Sequence, residues 1–113
     1  MTIIISSEGN SLESKPCPRF GRSPFFIKYD LETEEWEALN NPAVSEFGGA
    51  GVAASQFIIN NQATAIISGR FGPNAFNVLK AAGIQMLTFT PDCDSNQKVI
   101  ELYKAGSLNQ GQV

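Results

Sequence analysis

The segment Ser68–Ala75 constrains the fold most, because it joins an apolar run to a helical pattern through a short loop. The run over residues 63–67 is rich in β-branched side chains and bounded by turn residues, which predicts a buried strand. Residues 76–83 have helical spacing. Pro73 suits a first helical turn, where its missing N–H leaves no hydrogen bond unmade. The sequence therefore predicts a strand, a loop and a helix in succession.

The loop itself predicts an anion site. Gly69 and Gly72 flank Arg70, and Gly72 can adopt backbone angles that other residues avoid. A turn from a strand into a helix directs free N–H groups and the positive end of the helix dipole toward one place. We expect an anionic ligand there.

The rest of the chain supplies further strands and helices. Strands are predicted over residues 2–6, 24–30, 36–39, 63–67 and 84–89, and helices over residues 52–60, 73–82 and from Asp94 to Gly106. Asp94, followed three residues later by Gln97, predicts a capping box at the start of the third helix. The short acidic linker over residues 31–34 predicts a hairpin.

This order predicts the α/β class. The alternating second half favours parallel strands joined by right-handed crossovers. We expect a mixed five-stranded sheet in the order 3-2-1-4-5, with strand 2 antiparallel and three helices covering the sheet. The single domain should span residues 1–107, followed by a flexible polar tail over residues 108–113.

Composition excludes several classes of function. A net charge of -3 argues against a general binder of nucleic-acid phosphates. No apolar run approaches the roughly 18 residues of a membrane span, and the N-terminal segment lacks the basic start of a signal peptide. We therefore expect a cytoplasmic protein without a nucleic-acid or membrane partner.

The chain has no histidine, which removes the commonest metal ligand and the commonest general base. No serine, cysteine or threonine has a recognisable base partner, and no catalytic pair of carboxylates is visible. We expect a protein that is not an enzyme.

All three arginines lie in loops that contain glycine. Arg19 and Arg22 flank Phe20 and Gly21 in the loop after strand 1, and Arg70 follows strand 4. Because strands 1 and 4 are predicted neighbours, the guanidinium groups should converge at the edge where ligands bind in such sheets. A guanidinium suits an anion with several oxygen or sulfide atoms. The alternative is that they pair with surface carboxylates, namely Glu8, Asp92 and Asp94.

The two cysteines, Cys17 and Cys93, are predicted at the same edge. A thiol beside guanidinium groups or a helix start should favour the thiolate, which is the form that binds metals. Two thiolates are too few to hold a cubane cluster alone. A pre-assembled cluster that carries its own sulfide needs fewer protein ligands if cationic groups assist. Two free thiols, or a redox disulfide between them, remain open alternatives.

The glycine-rich segment 48–51 allows two interpretations. It can form an anion-binding nest at a helix start, or it can allow close packing. It has no Walker lysine and does not follow a strand directly, so it is not a P-loop. We favour close packing.

Together, these segments resemble the dinitrogenase iron–molybdenum cofactor biosynthesis family. The resemblance covers Ile3 to about Gly106. Its marks are residues 19–26, 29–30, 48–51, 72–76 and 79–84. It implies a ribonuclease-H-like α/β fold and the binding or carriage of an iron–sulfur or molybdenum-containing cluster without turnover. Strand 1 lacks the metal-binding carboxylates of a nuclease, and Arg19 stands where many relatives of this family have histidine.

The hypothesis is a non-enzymatic carrier of an anionic metal–sulfur cluster, with cluster donor or acceptor proteins as candidate partners. The residues predicted to contact the cluster are Arg19, Phe20, Gly21, Arg22, Gly69, Arg70 and Gly72, and the candidate metal ligands are Cys17 and Cys93. One alternative is a module that binds a small anion or nucleotide. Another is a protein-interaction domain that uses exposed aromatic residues such as Phe71.

Overall fold

The computed structural model describes residues 1–45 and 48–111. Its strands are β1 (Thr2–Ser7), β2 (Phe25–Asp30), β3 (Trp36–Asn40), β4 (Ala65–Ser68), β5 (Gln85–Thr88) and β6 (Asn109–Gln110). Its helices are α1 (Ala50–Asn60), α2 (Pro73–Ala81) and α3 (Asn96–Lys104), and a 3₁₀ turn spans Phe20–Arg22.

The strands form one mixed sheet in the order β3-β2-β1-β4-β5-β6. β1, β4 and β5 are parallel, and β2 is antiparallel to both of its neighbours, as the sequence predicted. The β2–β3 hairpin is also confirmed, with Asp30 N–H donating to the Glu35 carbonyl at 2.9 Å.

The five-strand prediction is wrong, because the described chain adds β6 along β5. Asn109 lies opposite Thr88, and Gln110 lies opposite Leu87. Two exposed polar residues carry no alternating pattern, so only their backbone pairing identifies them as a strand. Gln112 and Val113, the last residues of the predicted tail, lie outside the described residues.

Two apolar layers bury the faces of the sheet. On one face, Ile4, Ile66 and Phe26 pack with side chains of α1 and α2, including Ile58 and Leu79. On the other face, Ile3, Ile5, Ile67 and Leu87 pack with Val99 and Ile100 of α3. Alternate residues of β1 therefore point into different layers, as the strand period of two requires.

The start of α3 differs by one residue from the prediction. Ser95 is the N-cap, and its hydroxyl accepts a hydrogen bond from Lys98 N–H at 3.1 Å. Asp94 lies outside the helix and is exposed. Serine and aspartate are equally good caps, so the sequence did not decide between these adjacent positions.

Within residues 1–45 and 48–111, no helix is long and apolar enough to cross a lipid bilayer.

Candidate functional site

A cavity of about 510 Å³ opens where the parallel strands β1, β4 and β5 end. Its lining comes from the loops that follow these three strands, at the edge where parallel sheets bind ligands. The lining residues are Glu8, Lys15, Pro16, Pro18, Gly69, Arg70, Phe89, Pro91 and Cys93.

Two of the loops are joined directly at the back of this cavity. Arg70 N–H donates to the Pro18 carbonyl at 2.9 Å, and Arg19 and Arg70 form an isolated parallel bridge. The buried Ser68 hydroxyl donates to the Cys17 carbonyl at 3.4 Å. These bonds fix the start of the β4–α2 loop against the β1–β2 loop.

Gly69 is needed for this contact. A Cβ atom built on Gly69 would lie 2.6 Å from Pro18 Cα and 2.7 Å from the Pro18 carbonyl oxygen. Both are backbone atoms that cannot rotate away. Glycine is therefore required here because two backbones approach closely.

Residues 8–16 form a loop that is closed at its base and held at its far end. Glu8 N–H donates to the Lys15 carbonyl at 2.9 Å, and Ser7 pairs with Pro16. The first two N–H groups of α3, those of Asn96 and Gln97, donate to carbonyl groups of this loop at 2.9 Å. The helix start therefore holds the loop that carries Glu8 and Lys15 to the cavity.

Asn96 adds side-chain bonds to this junction. It is fully buried, and its Nδ2 donates to Ser7 Oγ at 2.7 Å and to the Ser11 carbonyl at 2.9 Å. Asn96 therefore connects the β1 loop to the helix that follows the Cys93 loop.

The three arginines do not share one environment. Arg19 and Arg70 are exposed and adjacent through their bridge, and Arg70 borders the cavity. Arg22 ends the 3₁₀ turn, and its Nη1 donates to the Val44 carbonyl at 3.0 Å. Among the described residues, no ion pair joins Arg19 or Arg70 to Glu8, Asp92 or Asp94.

Phe20 and Phe71 are core residues. Phe20 is 2% exposed and packs against Phe26 and Phe71 with ring centroids 5.7 and 5.3 Å apart. Phe71 is 4% exposed, so the suggestion of an exposed interaction aromatic there is wrong. The predicted amphipathic pattern of the following helix did not reveal that the preceding loop residue turns inward.

In the glycine-rich segment, close packing is found at Gly51, which lies against Gly21, whereas a Cβ atom on Gly48 or Gly49 would meet nothing within 4 Å. A Cβ atom on Gly21 would lie 3.0 Å from Gly51 N, and one on Gly51 would lie 3.2 Å from Ala75 Cβ. These contacts bring the 3₁₀ turn, α1 and α2 together.

Gly72 lacks the special geometry that we predicted. It is the N-cap of α2 with φ -74° and ψ 164°, an extended conformation open to any residue. A Cβ atom there would meet nothing within 4 Å. The start of α2 at Gly72 is therefore unobstructed.

The two thiols differ in their position relative to the cavity. Cys93 borders the cavity, whereas Cys17 lies between the two prolines that line it. Both side chains are free thiols and are almost fully buried.

The expectation that the thiolates are favoured is wrong. Burial raises the pKa of the Cys17 thiol above its ordinary value of 9.0, and the Glu8 carboxylate raises it further. Burial and the Asp92 carboxylate also raise the pKa of the Cys93 thiol. Both pKa values are raised by apolar packing and nearby carboxylates. These are contacts between segments that the sequence pattern does not reveal.

The side chains that line the cavity include few metal-binding donors. Within the described part of the chain, no group of three or more His, Cys, Asp or Glu side chains could hold a metal ion. The cavity instead offers the cations of Lys15 and Arg70, one carboxylate and one thiol. This set suits a pre-assembled anion better than a bare cation.

Lys15 and Glu8 were not among the predicted site residues. They lie in a polar loop interrupted by prolines, where the sequence contains no catalytic or phosphate-binding motif. The one available signal was a lysine in the same loop as Arg19.

Comparison with known proteins finds similar sequences and similar folds. An uncharacterized protein of Methanocaldococcus jannaschii is 29% identical over 113 residues, covering 97% of this chain and 91% of the relative. The apo form of the orange protein of Desulfovibrio gigas superposes with a TM-score of 0.89 and 28% identity, covering 97% of this chain and 92% of that one. A NifB-like protein of the DUF35 family from Thermotoga gives a TM-score of 0.84 and 30% identity, with 96% and 91% covered.

The family model described as dinitrogenase iron-molybdenum cofactor matches residues 1–106, nearly the whole chain. The chain belongs to the dinitrogenase iron-molybdenum cofactor family.

Proposed function

We propose that this protein is a non-enzymatic, cytoplasmic carrier of a pre-assembled, anionic metal–sulfur cluster, which binds in the cavity between the loops after β1, β4 and β5. The observation that carries the proposal is the composition of this cavity. It combines Lys15 and Arg70 with one cysteine in a member of a family named for the iron–molybdenum cofactor.

Charge supports an anionic guest. Lys15 and Arg70 contribute two positive charges to the lining, and Glu8 contributes one negative charge. The backbone of Arg19 pairs with that of Arg70, although Arg19 is not among the residues that line the cavity. Charge-assisted hydrogen bonds from these groups are the strongest that the site offers to sulfide or oxo atoms.

The cavity, of about 510 Å³, has room for a compact inorganic cluster, and part of its wall is apolar. Phe89, Pro16, Pro18 and Pro91 form the apolar part of its lining. Apolar walls weaken the competition of water with the cationic groups, which strengthens the attraction to an anion.

Cys93 is the proposed protein ligand, because it borders the cavity. Its raised pKa means that the apo protein holds a neutral thiol, so metal ligation releases a proton. Cargo affinity through Cys93 should therefore rise with pH. Cys17 does not line the cavity and contributes instead to the packing behind Pro16 and Pro18.

The test is anaerobic reconstitution of the protein with iron, molybdate or copper in the presence of sulfide. We expect a visible absorbance that co-elutes with the protein on gel filtration. Lys15→Ala with Arg70→Ala should remove most of the bound colour, whereas the exposed α2 variant Lys80→Ala should retain it. Cys93→Ser should weaken retention more than Cys17→Ser.

A different result would identify the alternative function, which is the binding of a small anion or nucleotide. Thermal stabilisation by inorganic phosphate or a nucleotide, without colour and without dependence on either cysteine, would replace the cluster with an ordinary anion. Failure of every metal and sulfide mixture to produce a co-eluting absorbance would contradict the carrier function.

A further inference from the structure

β3 is the last strand at one side of the sheet, and its outer edge has no strand partner among the described residues. Two backbone hydrogen bonds identify the residues whose backbone groups point from β3 toward β2. Asp30 N–H donates to the Glu35 carbonyl, and Asn41 N–H donates to the Pro24 carbonyl. Antiparallel pairing alternates, so residues 35, 37, 39 and 41 bond to β2, and Trp36, Ala38 and Asn40 point their backbone groups outward.

The two sides of this edge differ in chemistry. On the side of α1 and α2, Leu39 lies opposite the core residue Phe26, and Glu35 and Glu37 follow at every second position. On the side of α3, Ala38 packs against the core and Trp36 is 41% exposed. At the start of β3, one side therefore carries Glu35 and Glu37 and the other carries Trp36 and Ala38.

A groove of about 360 Å³ lies at the start of β3. It is lined by Thr2, Lys28, Asp30, Glu35, Trp36 and Glu37. Three carboxylates face one ammonium group there. No ion pair within 4 Å joins Lys28 to Glu37 in the described structure, although the two residues lie opposite each other.

Charge decides which strand fits this edge. A second copy paired about Trp36 or Glu37 would place Glu35 and Glu37 near the same carboxylates of its partner, and like charges on paired strands are destabilising. A strand with lysine or arginine at every second position would instead face Glu35 and Glu37, and its intervening apolar side chains would face Trp36 and Ala38.

We propose that the β3 edge binds an extended segment of a partner protein in which basic and apolar residues alternate. The segment adds a strand to the sheet by β-augmentation. Backbone bonds to Trp36, Ala38 and Asn40 supply affinity, and the acidic and apolar sides set the register. The groove lies at the amino end of β1 and the cavity at the carboxyl ends of the parallel strands, so this docking leaves the cavity open.

The experiment uses the ¹⁵N-labelled full chain and a capped heptapeptide of alternating lysine and valine. We expect slower amide hydrogen exchange at Trp36, Ala38 and Asn40 on peptide addition. A peptide N-methylated at alternate residues should bind at least tenfold more weakly. A heptapeptide of alternating glutamate and valine should not bind.

Variants separate the two contributions. Glu35→Gln with Glu37→Gln should weaken binding about tenfold, since two pairs of opposite charges across the strands are lost. Glu101→Gln, an exposed change on α3, should leave binding unchanged. Circular dichroism checks that each variant is folded.

Three outcomes would overturn the proposal. These are equal binding of the N-methylated peptide, protection confined to residues outside β3, and self-association of the free protein through this edge. None of them depends on cluster carriage, because the experiment uses apo protein.

Discussion

The two ends of the loop between β4 and α2 are close in sequence and opposite in structure. At Gly69 the backbone lies against Pro18, and a Cβ atom would approach to 2.6 Å. At Gly72 the backbone is extended, and a Cβ atom would meet nothing within 4 Å. One glycine is enclosed by another loop, and the other opens to solvent at a helix start.

This contrast divides the loop between β4 and α2 into an enclosed end and an open end. The enclosed end connects residues 17–19 to residues 68–70 and sets the back of the cavity. The open end places the first turn of α2 beside Arg70 without steric restriction. The same glycine-to-alanine substitution should therefore change the free energy of unfolding much more at Gly69 than at Gly72.

Gly69→Ala should have the largest effect. The new methyl group collides with the Pro18 backbone, and such overpacking should lower the free energy of unfolding by about 3 kcal/mol. Urea unfolding of the variant and the wild type measures the difference. A change below 1 kcal/mol would mean that the two loops can separate easily.

Asn96→Ala should have the next largest effect. It leaves the Ser7 hydroxyl and the Ser11 carbonyl without their buried donor and should cost about 2 kcal/mol. Gln97→Ala is the matched control, since that side chain is exposed on the same helix. Equal losses for the two variants would contradict the assigned contribution of Asn96 to loop packing.

Arg70→Ala should reduce cargo retention about tenfold and leave folding nearly unchanged, because a hydrogen bond to a charged group contributes about 1.5–3 kcal/mol. Gel filtration of the reconstituted protein measures retained metal. Lys80→Ala provides the control on α2. Unchanged retention in Arg70→Ala would mean that the Arg70 guanidinium does not contribute to cargo binding.

Gly72→Ala should change the free energy of unfolding by no more than about 0.5 kcal/mol. The backbone geometry accepts alanine, which restricts the unfolded chain, but alanine is a poorer N-cap than glycine. Paired urea curves with Gly69→Ala give the comparison directly. A large loss at Gly72 would remove the distinction between the two ends.

The smallest effect at neutral pH concerns Cys17, beside the enclosed end. Its pKa is raised in the folded state, so the stabilisation is complete below pH 9 and is lost as pH rises through the folded-state pKa. We expect the free energy of unfolding to fall above pH 9, and Cys17→Ser to reduce that slope. An identical slope in the variant would assign the alkaline loss to other groups.

Much of the fold could be predicted from the sequence, because its signals are local. Strand and helix patterns, Pro73 at a helix start and the acidic hairpin linker gave the order of the first five strands. β6 was missed because Asn109 and Gln110 form a strand only by pairing with β5.

The site could be predicted only in part. The sequence directed attention to the loops after strands 1, 4 and 5, and these loops line the cavity. It did not identify Lys15 or Glu8 as lining residues. Nor did it separate the cavity-lining Cys93 from Cys17, since the position of each thiol relative to the cavity depends on the packing of distant segments.

The sequence by itself determined the α/β order and the family marks, since spacing and turn chemistry act between residues close in the chain. The tertiary structure decided which glycine is sterically required, which thiol borders the cavity and in which direction the pKa of each thiol shifts. Those properties depend on backbone approach, burial and charge. Contacts between loops far apart in the chain create all three.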